Sequence, residues 1–189
     1  HHAERSAFGG FCYFNSAAIA ANYLSSYGKI AILDLDYHHG NGQQDIFYSR
    51  CDVLTVSIHA DPDYEYPYFS GHEDETGEGE GSGYNINYPL PEKTGGDRYF
   101  HTLKKAIMAI SAFNPDFIII PLGFDTSKGD PSGKWSLVKE DFFNNGKLVG
   151  SLKRRTLVVQ EGGYDSRVLG INALSFFQGL FSGMYERAK

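Results

Sequence analysis

The chain has 189 residues, 41% of them hydrophobic and 21% charged, enough for one packed core. Its formal net charge of −6 argues against a direct, sequence-independent nucleic-acid partner, which needs a basic face, and suits a small cationic one. No apolar run approaches the ~18 residues of a membrane span and no signal-like apolar stretch opens the sequence, so no membrane partner and a cytoplasmic location are expected.

The sequence begins HHAERSAFGGFCYFN. In isolation, His1 and His2 read equally well as the remnant of a purification tag or as a catalytic pair. Cys12 and Cys51 are too few for a disulfide framework and are expected as small buried hydrophobes. NSAAIAANYLSSY has helical spacing, with Asn15 as cap and Gly28 as stop. KIAILDLD reads as a buried strand, GQQDIFYS as a short helix and DVLTVSIH as a second strand ending in His59. Residues 60–96 read as a long irregular connection, a length that often carries function. DRYFHTLKKAIMAISAF is an amphipathic helix leaving at Pro115, and DFIIIPLG a third strand ending at Asp125. After GDPSGKW come the helix KEDFFNNGKLVGSL, the strand TLVVQ and a closing helix through SFFQGLFSGMYERAK.

Strands that are apolar throughout, alternating with helices, predict an α/β fold: an open parallel sheet with helices on both faces. One domain over residues 1–189 is expected. In such sheets the ligand sits beyond the carboxyl ends of the strands. Here those ends carry Asp34, Asp36 and His38, then His59, Asp125 and Tyr164.

Side chains two apart on a strand share a face, so in DLDYHHGNG the groups Asp34, Asp36 and His38 can point one way. A lone aspartate or histidine there more often caps a helix or bonds backbone. Asp36, His38 and Asp125 converging from two strands reverse that preference, and would bind a metal with a position open for water. One imidazole and two carboxylates suit zinc, and also iron(II) or manganese. Asp34, His39 and Asn41 lie near enough in sequence to hydrogen-bond the ligands. Tyr164, after two glycines, reads either as an aromatic capping the sheet or as a phenol that stabilises an oxyanion.

HHA…GGFCYFN, ILDLDYHHGNG, SIHADP, PLGFD and QEGGY resemble, in their order, the histone deacetylases and acetylpolyamine amidohydrolases of the arginase–deacetylase fold. SIHADPDYEYPYFSG, GEGEGSGYNINYPLP and LGINAL are most similar to the acetylpolyamine branch. The resemblance implies that His1 and His2 are the family's tandem histidines, and that early strands preceding them in the family are missing here. It matches Asp36, His38 and Asp125 to the metal ligands, and His2 to the general base and acid. His1 matches the neighbour that assists electrostatically, and Asp34 and Asn41 match the partners of His1 and His2. Tyr164 matches the tyrosine that polarises the amide carbonyl. Gly10, Phe11 and Tyr66 match the channel for the acetylated alkyl chain. A potassium site is implied from the Asp34 side chain, the Ser57 hydroxyl and the carbonyls of Asp36, His38 and Ile58.

The sequence departs from the family pattern at Gln43, where Thr is common, and at Tyr66, where Phe is frequent. Ser132 stands at a rim position that selects substrates in some relatives. Five acids between Glu73 and Glu80 can attract a polycation, although a solvated loop is the preferred reading. The expected activity is deacetylation of acetylpolyamines by metal-activated water, in a homodimer. A protein lysine deacetylase and an inactive fragment that retains the metal site are the alternatives.

Overall fold

The computed structural model describes residues 1–186. Five strands form one parallel sheet: β1 (Ile30–Asp34), β2 (Val53–Ala60), β3 (Asn85–Leu90), β4 (Phe117–Leu122) and β5 (Arg155–Gln160), in the order β3-β2-β1-β4-β5. The α/β parallel sheet expected from the sequence is present.

Alternation along the strands divides the core. Ile30, Ile32 and Ile119 face α1 (Ser16–Leu24) and Phe47 of α2 (Asn41–Phe47). Ala31, Leu33, Ile118 and Ile120 face α3 (Gly96–Phe113), α4 (Lys139–Gly150) and α5 (Ser166–Tyr185). Each fully buried Ile, Leu or Phe contributes roughly 1.5–3 kcal/mol. The central strands β1 and β2 are buried throughout, while edge strand β5 is half exposed. Helices α4 and α5 approach closely through Gly146, Gly150, Gly179 and Gly183. A Cβ at any of these would strike the other helix's backbone.

Several local expectations need correction. NINYPL, inside the expected loop, is edge strand β3. Asn85, Asn87 and Pro89 disguise it, yet Asn85 and Asn87 are buried and both donate to Oε1 of Gln44, at 2.8 and 2.9 Å. Helix α1 uses Asn15 as cap, as expected, but ends at Leu24, short of Gly28. Helix α5 begins nine residues before the expected SFFQG because Asp165 caps it. The expected continuation of this helix over 187–189 lies outside the described residues. Cys51 is exposed in the turn before β2, and Cys12 is half exposed in the Gly9–Cys12 turn, so neither is a core residue. Among the described residues, no helix is long and apolar enough to cross a membrane.

Candidate active site

Strands β1 and β4 are neighbours, so the turns leaving their carboxyl ends meet. One brings Asp36 and His38, the other Asp125. A ligand atom from each lies within 4.8 Å of the others. Every carboxylate is oriented by backbone: Tyr37 N–H donates to Oδ1 of Asp125 at 3.1 Å, and Gly162 N–H to Oδ2 of Asp36 at 2.8 Å. His38 turns Nδ1 toward both acids, 3.3 Å from Asp36 and 3.2 Å from Asp125.

Asp125 is 0% exposed, and its Oδ2 has no hydrogen-bond partner among the described residues. Burial and the charge of Asp36 push its carboxyl up to about 7. Burial opposes ionisation of Asp36 too, but His1 and His38 outweigh it and hold that carboxyl far below the usual range. Two buried acids, one with an orphaned oxygen, beside an imidazole form a donor set that fits a divalent cation. Side chains at Gly123 or Gly162 would collide with these acids, so glycine keeps the cradle open.

The histidine pair lies against this cradle, with ring centroids 4.0 Å apart. Nδ1 of His1 donates to Asp34 at 2.8 Å, and Nδ1 of His2 meets Oδ1 of Asn41 at 2.8 Å. Burial works against charge on both, with opposite outcomes. For His1 the carboxylates Asp34 and Asp36 prevail, raising its pKa well above the usual value. For His2, burial and the charge of His1 lower it to about 3. The pair therefore holds one imidazolium and one neutral imidazole, an acid and a base side by side.

A cavity of about 230 Å³ opens over these groups, with Gly10, Phe11, Cys12, Glu161 and Tyr164 on its walls. Gly10 has φ +51°, and a Cβ there would strike the His2 ring. Phe11 is 96% exposed at the rim, and Tyr66 packs edge-on against His2 with centroids 4.9 Å apart. Tyr164 is 52% exposed; burial of its phenol and the charges of Asp125 and Asp36 push it up to about 12, so it is a hydrogen-bond donor at neutral pH.

Asp34 and Ser57 are register partners across β1 and β2, with Ile58 next in the strand. The Ser57 hydroxyl bonds Nδ1 of His59, and Nε2–H of His59 donates to the Gly71 carbonyl, so His59 ties the long loop down. His39 bonds Ser70 and not a candidate ligand. Of the five loop acids, Glu75 turns inward to accept from Gln44 and from Gly71 N–H, and the other four are exposed.

Four supporting residues have roles at the site that the sequence reading did not assign. Asn15 caps α1 and also donates to the carbonyls of His1 and Ala3, fixing the strand of chain that bears the pair. Gln43 donates to Oδ2 of Asp34. Glu4 accepts from Asn41. Asp130 accepts from the N–H groups of Tyr164 and Asp165 at 2.7 and 3.0 Å, anchoring the tyrosine loop. The sequence marked Asn15 only as a helix cap, Gln43 only as a departure from the family pattern and Asp130 only within the GDPSG turn, and did not mark Glu4.

A family model for the histone deacetylase domain matches residues 1–180. Acetylpolyamine amidohydrolase 2 of Pseudomonas aeruginosa is 49% identical over 188 residues, covering 98% of this chain and 54% of that protein. Histone deacetylase 8 of Arabidopsis thaliana is 35% identical over 176 residues, covering 87% and 46%. The crystal structure of acetylpolyamine aminohydrolase from Burkholderia pseudomallei superposes with a TM-score of 0.95 at 45% identity, covering 96% of this chain and 54% of that one. The chain thus spans about half the length of these relatives.

Proposed function

Since the chain belongs to the histone deacetylase domain family, we propose that it works as a metal-dependent amidohydrolase that removes acetyl groups from acetylated polyamines. The observation that carries this reading is the adjacent His1–His2 ring pair, with one Nδ1 held by Asp34 and the other by Asn41, set beside three convergent ligand atoms. The higher identity to an amidohydrolase of acetylpolyamines than to the plant histone deacetylase supports the small-molecule substrate.

Asp36, His38 and Asp125 would hold the ion, with zinc the first choice for one imidazole and two carboxylates. Bound there, it would supply Lewis acidity toward the attacking water and the acetyl carbonyl. His2 accepts the water proton at Nε2, since its Nδ1 is engaged by Asn41. Tyr164 donates its phenol hydrogen bond to the developing oxyanion. His1 or His2 then protonates the leaving nitrogen, so that amide and water become acetate and amine.

Gly10, Phe11 and Tyr66 would guide the alkyl chain. Asp34, Ser57 and the carbonyls of Asp36, His38 and Ile58 would hold a potassium ion behind the site. Residues 1–189 act as one catalytic unit in this reading, closed by a second copy and located in the cytoplasm.

The test is acetate release by the purified, zinc-loaded chain, with N-acetylputrescine and an acetyl-lysine peptide assayed in parallel. Hydrolysis of the polyamine well above the peptide is expected. Peptide preference would reassign the chain as a lysine deacetylase, and silence on both with zinc bound would end the catalytic reading.

A further inference from the structure

An asparagine amide has an acceptor side and a donor side of nearly equal size, so its orientation must be fixed by its neighbours. For Asn41, Oδ1 faces Nδ1 of His2 at 2.8 Å. Its Nδ2 faces Oε1 of Glu4 at 2.8 Å and, more distantly, the His2 carbonyl at 3.3 Å. Both partners of Nδ2 are pure acceptors, and the nearer one is a carboxylate. Turning the amide over would press Oδ1 against both.

The consequence reaches the base. A carbonyl oxygen facing Nδ1 requires the neutral imidazole to carry its proton there, which leaves the Nε2 lone pair free. A reversed amide would present N–H to Nδ1 and move the proton to Nε2, leaving no base on the side that meets water. Glu4 is half buried beside Asn41, and its backbone N–H donates to the Ala7 carbonyl at 2.9 Å. It touches neither the cavity walls nor the candidate ligands.

We propose that Glu4 is a positioning residue: its carboxylate fixes the amide of Asn41 and, through it, the Nδ1–H tautomer of His2. This rests on the role given to His2 above. Hydrogen-bond complementarity supplies a decisive pair of variants. Glu4→Lys puts a donor where an acceptor stood, which draws Oδ1 away from His2. Adding Asn41→Asp restores an acceptor to both neighbours at once.

The experiment is ¹⁵N NMR of the histidine side chains in the full 189-residue chain, without metal or substrate, alongside acetate release from the zinc-loaded protein. The wild type and Glu4→Gln should show Nδ1–H at His2, because Gln can still accept from Asn41. Glu4→Lys should show Nε2–H and lose activity by about 10²- to 10⁴-fold, the usual range for a general base. Glu4→Lys with Asn41→Asp should return to Nδ1–H and regain activity to within about tenfold of wild type. Should the lysine variant fail to fold, Glu4→Ala should give a mixture of tautomers. Nδ1–H alone in Glu4→Lys or Glu4→Ala, or no return in the double variant, overturns the proposal. A wild type that releases no acetate while the tautomers follow the series would end the deacetylase reading and leave this one standing.

Discussion

The cradle at the ends of β1 and β4 and the outer face of α5 are treated in opposite ways by the same chain. In the cradle, Asp34, Asp36, Asp125, His1 and His2 are all buried, and backbone or side-chain partners orient each. On α5, Ile171, Leu174, Phe181 and Tyr185 form an exposed apolar stripe at helical spacing, and Phe181 is 66% exposed. The polar groups are the enclosed ones, and the large apolar groups are open. The cradle draws on β1, the turns after β1 and β4, α2, the segment before α1 and the loop after β5, and on no residue of the outer face of α5, so its chemistry should be separable from anything done to that face.

The strongest way to break that comparison is to remove a buried charge. Asp125→Asn should abolish stoichiometric zinc binding and lower activity by at least about 10³-fold, since the ion's contribution is several kcal/mol. The same change should stabilise the metal-free protein. An unfolded aspartate titrates near ~3.9, whereas burial and Asp36 raise folded Asp125 to about 7. The folded state keeps a proton that the unfolded state releases, so this group's stabilising share is full below pH ~4 and lost as pH rises to 7. Asparagine has no such titration. The melting-temperature advantage of the chelator-treated variant should therefore be larger at pH 8 than at pH 5, by about 3 °C or more. A constant difference across that range would show that the buried Asp125 carboxylate carries no such cost.

Much of this arrangement was legible beforehand because its signals are local. Apolar runs marked four of the five strands, and acids at their carboxyl ends marked the site. Asp36, His38 and Asp125 do meet, although in the turns just beyond β1 and β4 and not on the strands themselves. What stayed hidden depends on partners distant in sequence. Edge strand β3 reads as a polar loop until Gln44 satisfies Asn85 and Asn87. Glu4 is an ordinary surface acid until Asn41, 37 positions away, places an N–H against it. Whether α5 would present an apolar stripe or bury it was also illegible, because helical periodicity is the same in both cases.

A middle-sized effect sharpens the division of labour within the cradle. Tyr164→Phe deletes one hydroxyl and no ligand, so zinc should bind as before. If the phenol stabilises the oxyanion, kcat should fall by about 10²- to 10³-fold with little change in KM. Its phenol stays protonated up to about 12, so no rise in wild-type activity should follow tyrosine ionisation below pH 10. A drop in KM-controlled binding with kcat intact would make Tyr164 a channel residue instead. Asp130, which holds the backbone N–H groups of Tyr164 and Asp165, should give a weaker version of the same phenotype when changed to Ala.

The smallest effects belong to α5, where two positions two residues apart face opposite surroundings. A Cβ at Gly179 would strike the Phe143 carbonyl of α4, so Gly179→Val forces the helices apart and should cost about 1–3 kcal/mol. Phe181→Ser lies on the open stripe and should change stability by no more than about 0.5 kcal/mol, with zinc affinity and kcat unchanged. Thermal melts of both variants beside wild type make the measurement. A Phe181→Ser cost as large as that of Gly179→Val would mean that the stripe is already packed in solution. Melts repeated over a hundredfold range of concentration would then trace that packing to a second copy, because stability gained by association rises with concentration and intramolecular packing does not.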